Sequence, residues 1–175
     1  LMTSEKQANG IVTCASDVRK ILLETSGNQN NVADALKFVS DFARSRSVVF
    51  FDTDGEDYNY ISPEFNDKLF SDSEINLFKK ELFRYAAEYH SISKTTVNIL
   101  CIKPNKHLYK TNPGFYNLLK QHKINDISLS ATINNSNHIT ILAAINAKCR
   151  SQFMMLAEKI SACFSMALYN KNYLN

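Results

Sequence analysis

Two short alternating segments near the carboxyl end constrain the fold of this chain more than any other feature. Apolar residues occupy every second position of residues 127–133 and again of residues 139–145. A period of two is that of a β-strand with one buried face. The polar segment Asn134-Asn135-Ser136-Asn137 lies between the two runs, which predicts an antiparallel hairpin.

A long helical pattern follows this hairpin. Apolar residues recur at helical spacing from Phe153 to Leu168, which predicts a closing helix that covers the apolar face of the hairpin. Ile141 and Phe164 are therefore expected to share one core. Truncating Phe164 to Ala is then expected to cost about 3–5 kcal/mol.

The rest of the chain alternates between helical and strand patterns. Helical spacing predicts helices over residues 7–24, 32–43 and 71–89, and the last begins with the capping-box pattern Ser71-x-x-Glu74. Runs of β-branched and aromatic residues predict strands at 47–51, 58–62 and 95–103, and Asn112-Pro113 is typical of a helix start. This order predicts an α+β fold, with an antiparallel sheet of about five to six strands, helices on both faces, and long N- and C-terminal helices.

The first helix carries a 3-4-3-4 seam of apolar residues, formed by Ala8, Ile11, Ala15, Val18 and Leu22. The seam suits either an amphipathic helix lying on its own domain or one half of a helical dimer. We expect residues 1–29 to form this possible dimer helix with a linker, and residues 30–175 to form the main domain. The helical pattern still runs at residues 169–174, so a homodimer through the terminal helices and a following output domain are expected.

Composition limits the classes of partner. The chain has 20 basic and 17 acidic residues and a formal net charge of +3. We interpret the segments 103–110 and 120–123 as solvated lysine-rich surface, and therefore expect no nucleic-acid partner. No apolar run reaches 18 residues, so no membrane insertion is expected. Four cysteines without a CxxC pair favour a reducing, cytoplasmic location.

Catalytic and metal-binding motifs are absent from the sequence. The acidic residues 52–57 include Asp-Thr-Asp-Gly, but the later ligands of a calcium loop are missing, so a solvated turn is favoured. The four histidines show no metal-ligand spacing. Cys101 and Cys149 show no sign of thiol activation, so a cysteine-based redox enzyme is the least favoured hypothesis. We expect no catalytic residue, no metal site and no enzymatic activity, and no cofactor is identified.

The last fifty residues resemble the C-terminal half of a GAF domain. The similarity rests on the strand 127–133, the polar turn, the strand 139–146, and a long helix ending in Ala167-Leu168-Tyr169-Asn170, which matches an "AL.N" pattern of that family. The chain looks most like the GAF domains that precede bacterial diguanylate cyclase (GGDEF) domains. The resemblance implies a GAF-like antiparallel sheet with a ligand pocket.

The resemblance also implies a function. The chain would be a bacterial sensory domain that controls a diguanylate cyclase output by small-ligand binding, dimerisation or both, and the full-length protein would be the cyclase. The alternative is a ligand-free structural module for dimerisation. Tyrosines combine an apolar ring with a polar tip, so the residues best suited to line the pocket are Tyr58, Tyr60, Tyr85 and Tyr116. Half-buried tyrosines at the rim of a core are the other interpretation.

Overall fold

A computed structural model describes residues 4–23, 31–54, 57–61, 70–89, 96–133 and 139–174 of the chain. These residues form six helices and five strands. In chain order they are α1 (Ser4–Leu23), α2 (Asn31–Ala43), β1 (Ser47–Asp54), β2 (Asp57–Ile61), α3 (Asp72–Tyr89), β3 (Thr96–Ile102), α4 (Lys106–Thr111), α5 (Pro113–Gln121), β4 (Ile127–Ile133), β5 (Ile139–Ile145) and α6 (Arg150–Leu174). The α+β class is confirmed, as are the long first and last helices.

The five strands form one antiparallel sheet in the order β2-β1-β5-β4-β3. The predicted hairpin between residues 127 and 145 is present as β4–β5, with Ile127 opposite Ile145 and Ile133 opposite Ile139. The first two predicted strands are present as β1 and β2, and they pair with Phe51 opposite Tyr60. β5 lies at the centre of the sheet and is flanked by β1 and β4.

Helices cover both faces of the sheet, so the molecule has two separate cores. On one face, Phe50, Leu142 and Ala144 pack with the buried sides of α1, α2 and α6. On the other face, Phe51, Ile141 and Ala143 pack with α3, α4 and α5. Neighbouring residues of a strand point to opposite faces, so β1 and β5 each contribute to both cores.

The closing helix covers a different face from the one predicted. Ile141 belongs to the core under α3–α5, whereas Phe164 of α6 stacks on Phe50 in the other core, with ring centres 5.5 Å apart. The prediction that Ile141 and Phe164 share a core is therefore wrong. The face under α6 includes Ser128 and Ser130, which are fully buried. Period-two alternation identified the more apolar face, but both faces of this sheet are covered.

The apolar seam of α1 packs within the domain itself. Ile11, Ala15, Val18 and Leu22 are all buried in the core shared with α2 and α6. Of the two interpretations of the seam, the structure supports an amphipathic helix lying on its own domain. Those four side chains are consequently not available to a second copy of the chain.

Side-chain caps fix the helix starts as the sequence indicates. Ser71 and Glu74 form the predicted capping box, with the Ser71 N–H donating to Glu74 Oε1 (2.9 Å) and the Glu74 N–H donating to Ser71 Oγ (3.3 Å). Asn112 caps α5 through its side-chain oxygen, which accepts from the Phe115 N–H at 3.1 Å. α4 was not predicted, because its six residues bury only Leu108 and show no period. In the described part of the chain, no helix combines the length and apolarity needed to cross a membrane.

Candidate functional site

Six aromatic side chains form a continuous layer between the sheet and helices α3 and α5. We call them the aromatic layer: Phe51, Phe70, Phe78, Phe83, Tyr85 and Phe115. The ring centres of Phe51 and Phe78 are 6.0 Å apart, and those of Phe78 and Phe115 are 6.3 Å apart. These distances are typical of favourable aromatic pairs. The layer joins β1, α3 and α5 across the apolar face of the sheet.

The centre of the aromatic layer is closely packed. Phe51, Phe78 and Phe115 are each at most 1% exposed. Phe70 adds a stacked contact with Phe78 at 5.7 Å, and Phe83 contacts Phe51 at 6.2 Å. A molecule entering this space would therefore have to move rings that already contact each other.

Tyr85 and Tyr116, two of the four predicted pocket residues, lie on this side of the sheet. Both are half-buried and pack against the core under α3–α5. The Tyr85 ring contacts Phe115 at 6.4 Å and has the Arg84 guanidinium 4.9 Å from its centre. Tyr116 instead packs edge-on against the exposed ring of Tyr109 at 5.1 Å. Tyr85 thus belongs to the aromatic layer, and Tyr116 lies at its outer margin.

Tyr58 and Tyr60, the other two predicted pocket residues, lie in β2. Their backbone positions are opposite Thr53 and Phe51 in β1. Their side chains lie outside the described part of the structure, so their contribution to a pocket stays a prediction.

A polar pair borders the aromatic layer at the start of α3. His122 Nε2 lies 2.7 Å from Glu74 Oε2, and the His122 ring packs on Phe70 with centres 4.2 Å apart. The Ser71 backbone N–H and, secondly, the hydrogen bond from His122 lower the pKa of Glu74 below its usual value. The sequence identified Glu74 as a capping residue, but its pairing with His122 joins positions 48 residues apart and has no local signal.

The cysteines and the described acidic residues are the groups to compare with the requirements of redox and metal chemistry. All four cysteines are free, and burial raises the pKa of Cys14 to about 11, with Asp17 adding to the effect. A thiol with so high a pKa is mostly protonated and is a poor nucleophile near neutral pH. The described residues contain no group of three potential metal ligands.

An open cleft of about 760 Å³ lies at the end of the sheet where β5 leads into α6. Asn146 is one of the residues that line it. It adopts a left-handed conformation (φ 54°), its Oδ1 accepts from the N–H groups of Asn125 (2.7 Å) and Asp126 (3.2 Å), and its Nδ2 donates to Lys123 O (3.0 Å). Arg150 at the start of α6 pairs with Asp126 at 2.8 Å. A smaller cleft of about 480 Å³ lies beside α4 and is lined in part by Tyr109 and Tyr116.

Comparison with known proteins finds similarity in structure only. No family model matches the sequence, and no curated protein matches it. A crystal structure of SdiA from Escherichia coli superposes with a TM-score of 0.56 and 10% identity, over 90% of this chain and 68% of SdiA. SdiA in complex with octanoyl-rac-glycerol gives a TM-score of 0.54 and 8% identity, over 98% and 69% of the two chains. The N-acylhomoserine lactone dependent LuxR family transcription factor CepR2 from Burkholderia cenocepacia gives 0.55 and 11%, over 92% and 94%.

These similarities correct the function inferred from the sequence. The structures that this chain resembles are LuxR-family proteins, so the expected role as a GAF-type sensor controlling a diguanylate cyclase is wrong. The last two strands and the closing helix carried that resemblance, and such an element order is compatible with more than one α+β family. Sequence identity of 8–11% shows the fold alone. This chain therefore has the fold of the LuxR-family proteins SdiA and CepR2.

Proposed function

We propose that this chain is a regulatory domain that binds an amphipathic small molecule carrying an acyl chain. The observation that carries the proposal is the shared fold with CepR2, which is described as N-acylhomoserine lactone dependent, and with SdiA, whose structure is known in complex with octanoyl-rac-glycerol. The similarity extends over at least 90% of this chain. Function does not follow from fold alone, so the side chains must supply a suitable site.

The aromatic layer is the site that suits such a ligand. Five of its rings come from β1, α3 and α5, Phe70 lies just before α3, and together they offer an apolar surface for an acyl chain that polar groups border on two sides. Tyr85 supplies a hydroxyl at one margin, and the His122–Glu74 pair supplies hydrogen-bonding groups at another. Ligand sites of this kind are mostly apolar, with a few polar groups that fix orientation.

Ligand entry would be coupled to rearrangement of the core. Because Phe51, Phe78 and Phe115 are at most 1% exposed, an acyl chain would replace ring–ring contacts with ring–chain contacts. A ligand shifts a conformational equilibrium only by its difference in affinity for the two states. We propose that this displacement shifts α3 and α5, and that the shift of these helices is the regulatory signal. We also propose a cytoplasmic location and no enzymatic activity.

The close packing of the same rings favours a second candidate function. A domain that binds no ligand would keep this core filled and would serve as a structural module. The homodimer expected from the sequence stays a proposal, and it would have to use exposed residues of the terminal helices such as Val12, Met155 and Met166.

A thermal-shift titration separates the two candidates. The probes are N-octanoyl homoserine lactone and octanoylglycerol, and the matched control is homoserine lactone without its acyl chain. A ligand at about 100 times its Kd stabilises the folded state by roughly 2.7 kcal/mol, which raises Tm by several degrees. We expect the acylated probes alone to raise Tm. No shift with either acylated probe up to its solubility limit would support the structural module.

The variant Tyr85→Phe tests the site itself. It removes only the hydroxyl and keeps the ring contact with Phe115. If the hydroxyl orients the ligand, affinity falls while the Tm of the free protein changes little. The matched control is Tyr109→Phe, which alters an exposed tyrosine outside the aromatic layer. Equal affinity losses in both variants would contradict this placement of the ligand.

A further inference from the structure

Charge is divided unequally along this chain. Residues 1–88 contain ten basic and fifteen acidic residues, whereas residues 89–175 contain ten basic residues and only Asp126 and Glu158 as acids. The net charge of +3 is therefore the sum of a negative first half and a strongly positive second half. Such asymmetry is typical of chains that contact polyanions.

The fold collects cations from four segments at one end of the sheet. At this end β1 begins, β5 ends, β4 begins and β3 ends, since Ser47 pairs with Ile145, Ile145 with Ile127, and Ile127 with Ile102. Six cations close in sequence to these strand ends form what we call the basic end: Arg44, Arg46, Lys103, Lys123, Lys148 and Arg150. Lys120 adjoins it through a hydrogen bond from the Lys123 N–H to Lys120 O.

Three of the six cations at the basic end are exposed and make no ion pair with described residues. They are Lys103, Lys123 and Lys148. The nearest acids along the chain are Asp126, which is 7% exposed and already paired with Arg150, and Asp41 at the end of α2. The opposite end of the sheet is acidic in sequence, because β1 ends at Asp54 and β2 begins at Asp57.

We propose that the basic end is a sequence-independent contact surface for the phosphate backbone of nucleic acid. The surface contains the open cleft of about 760 Å³, lined by Asn125, Lys148, Arg150 and Gln152 among others. Lys and Arg side chains, together with side-chain amides, make most phosphate contacts in protein–DNA complexes. The sequence-based expectation of no nucleic-acid partner judged segments 103–110 and 120–123 separately, without the cations of other segments that the fold brings to the same end of the sheet.

The chemistry of the surface favours nucleic acid over other polyanions. Among the described residues, the exposed large apolar side chains are Val12, Leu23, Phe38, Tyr109, Met155 and Met166, and none belongs to the segments that form the basic end. A membrane-surface site normally adds an apolar anchor, and a protein interface normally has an apolar centre. Protein–nucleic acid interfaces are more polar and more positive than protein–protein interfaces.

The size of the surface sets the expected salt dependence. Four strands side by side, from β1 to β3, span about 14 Å at roughly 4.8 Å per spacing. Phosphates on one DNA strand are about 3.4 Å apart along the helix axis, so about four phosphates face the surface. Affinity should then fall about 100-fold between 50 and 200 mM salt.

The test is fluorescence anisotropy with a labelled 20-base-pair duplex of mixed sequence and no added small ligand. We expect the protein to bind the duplex at 50 mM KCl, and we expect its affinity to be about 100-fold lower at 200 mM KCl. Lys103→Glu/Lys148→Glu should weaken binding more than tenfold. The matched control, Lys20→Glu/Lys80→Glu, changes the net charge equally at exposed positions of α1 and α3 and should change affinity less than threefold. Circular dichroism checks that both variants are folded.

A double variant with neutral substitutions tests the same surface with less disturbance of folding. Lys103→Gln/Lys148→Gln should reduce the slope of log affinity against log salt by about two, one for each lost phosphate contact. The proposal is overturned if the protein does not bind the duplex at 50 mM KCl up to about 100 µM protein. It is also overturned if the two glutamate double variants lose equal affinity for the duplex. Tighter binding to polyglutamate, or to vesicles with one-third anionic lipid, than to the duplex would overturn it as well. None of these outcomes depends on whether the aromatic layer binds a ligand.

Discussion

At the scale of single residues, Asn146 and Glu74 each join parts of the chain that are distant in sequence. Asn146 follows β5 and holds the loop before β4 through three side-chain hydrogen bonds, in a left-handed conformation that asparagine tolerates better than most residues. Glu74 closes the capping box of α3 and also pairs with His122 at the end of α5. Both residues fix loops that border a cleft or the aromatic layer.

Two substitutions of Asn146 should separate the contribution of its side-chain hydrogen bonds from that of its left-handed backbone conformation. Asn146→Ala removes three hydrogen bonds and leaves alanine, which has no polar side chain to stabilise a positive φ, in the left-handed conformation. We therefore expect a loss of about 2–4 kcal/mol in unfolding free energy. Asn146→Gly removes the same bonds but relieves the backbone, so it should cost about 1 kcal/mol less. Urea unfolding of the three proteins measures both differences. Equal losses in Ala and Gly would show that the backbone conformation contributes nothing.

The lowered pKa of Glu74 makes a prediction about acid stability. A carboxyl group whose pKa is lower in the folded state stabilises the protein at pH values above its unfolded pKa, and this stabilisation is lost as pH falls through the folded pKa. The wild type should therefore exceed Glu74→Gln in Tm at pH 6, and the difference should shrink between about pH 5 and pH 3. Comparing the two proteins cancels the titration of the other carboxyl groups. A constant difference across this range would contradict the assignment.

At the scale of elements, α1 illustrates how one apolar seam is used. It was compatible with a helical dimer, but Ile11, Ala15, Val18 and Leu22 pack against α2 and α6 of the same chain. A 3-4-3-4 spacing fixes which side of a helix is buried and says nothing about which molecule covers it. The opposite side of α1, with Val12 56% exposed, remains open.

Two substitutions on opposite sides of α1 should behave differently. Val18 is fully buried, so Val18→Asp places an unpaired charge in the core and should lower unfolding free energy by about 3–5 kcal/mol. Val12→Asp on the exposed side should change it by no more than about 0.5 kcal/mol. Chemical unfolding gives both values, and sedimentation of the Val12 variant reports any association through that side. A stable, monomeric Val18→Asp protein derived from a wild-type dimer would restore the dimer-seam interpretation.

At the scale of the whole molecule, one sheet separates two cores with different character. The core under α1, α2 and α6 contains the Phe50–Phe164 stack, and the face of the sheet beneath it includes the buried hydroxyls of Ser128 and Ser130. The core under α3–α5 holds the aromatic layer. The candidate ligand site and the closing helix therefore lie on opposite sides of the sheet, so a direct signal between them must pass through the sheet.

Double-mutant cycles can check this separation. Phe164→Ala should cost about 3–5 kcal/mol. Its effect should couple to Phe50→Leu by roughly 0.5–1.5 kcal/mol, because the two rings stack at 5.5 Å. Coupling to Ile141→Ala, on the other side of the sheet, should stay within about 0.5 kcal/mol. If Phe164 coupled more strongly to Ile141 than to Phe50, α6 would have to pack on the face of Ile141, and the separation of the two cores would be contradicted.

Several elements follow from local sequence because their determinants are local. The hairpin from Ile127 to Ile145 follows from period-two alternation, and the starts of α3 and α5 follow from Ser71-x-x-Glu74 and Asn112-Pro113. α4 escaped prediction because six residues are too few to show a period. Tyr85 was identified as a site residue, but Phe51, Phe78 and Phe115 of the same aromatic layer were not, since burial patterns do not reveal which side chains meet.

The sequence by itself determined the α+β class, the order of most elements, and which side of the long first and last helices is buried. Only the tertiary structure decided that α6 covers the face of Phe50 and not that of Ile141, that His122 reaches Glu74, and that cations from four segments meet at one end of the sheet. The physical reason is the range of the interactions. Periodicity and capping act within a few residues, whereas the covering of a face and the sum of surface charges depend on contacts between residues far apart in the chain.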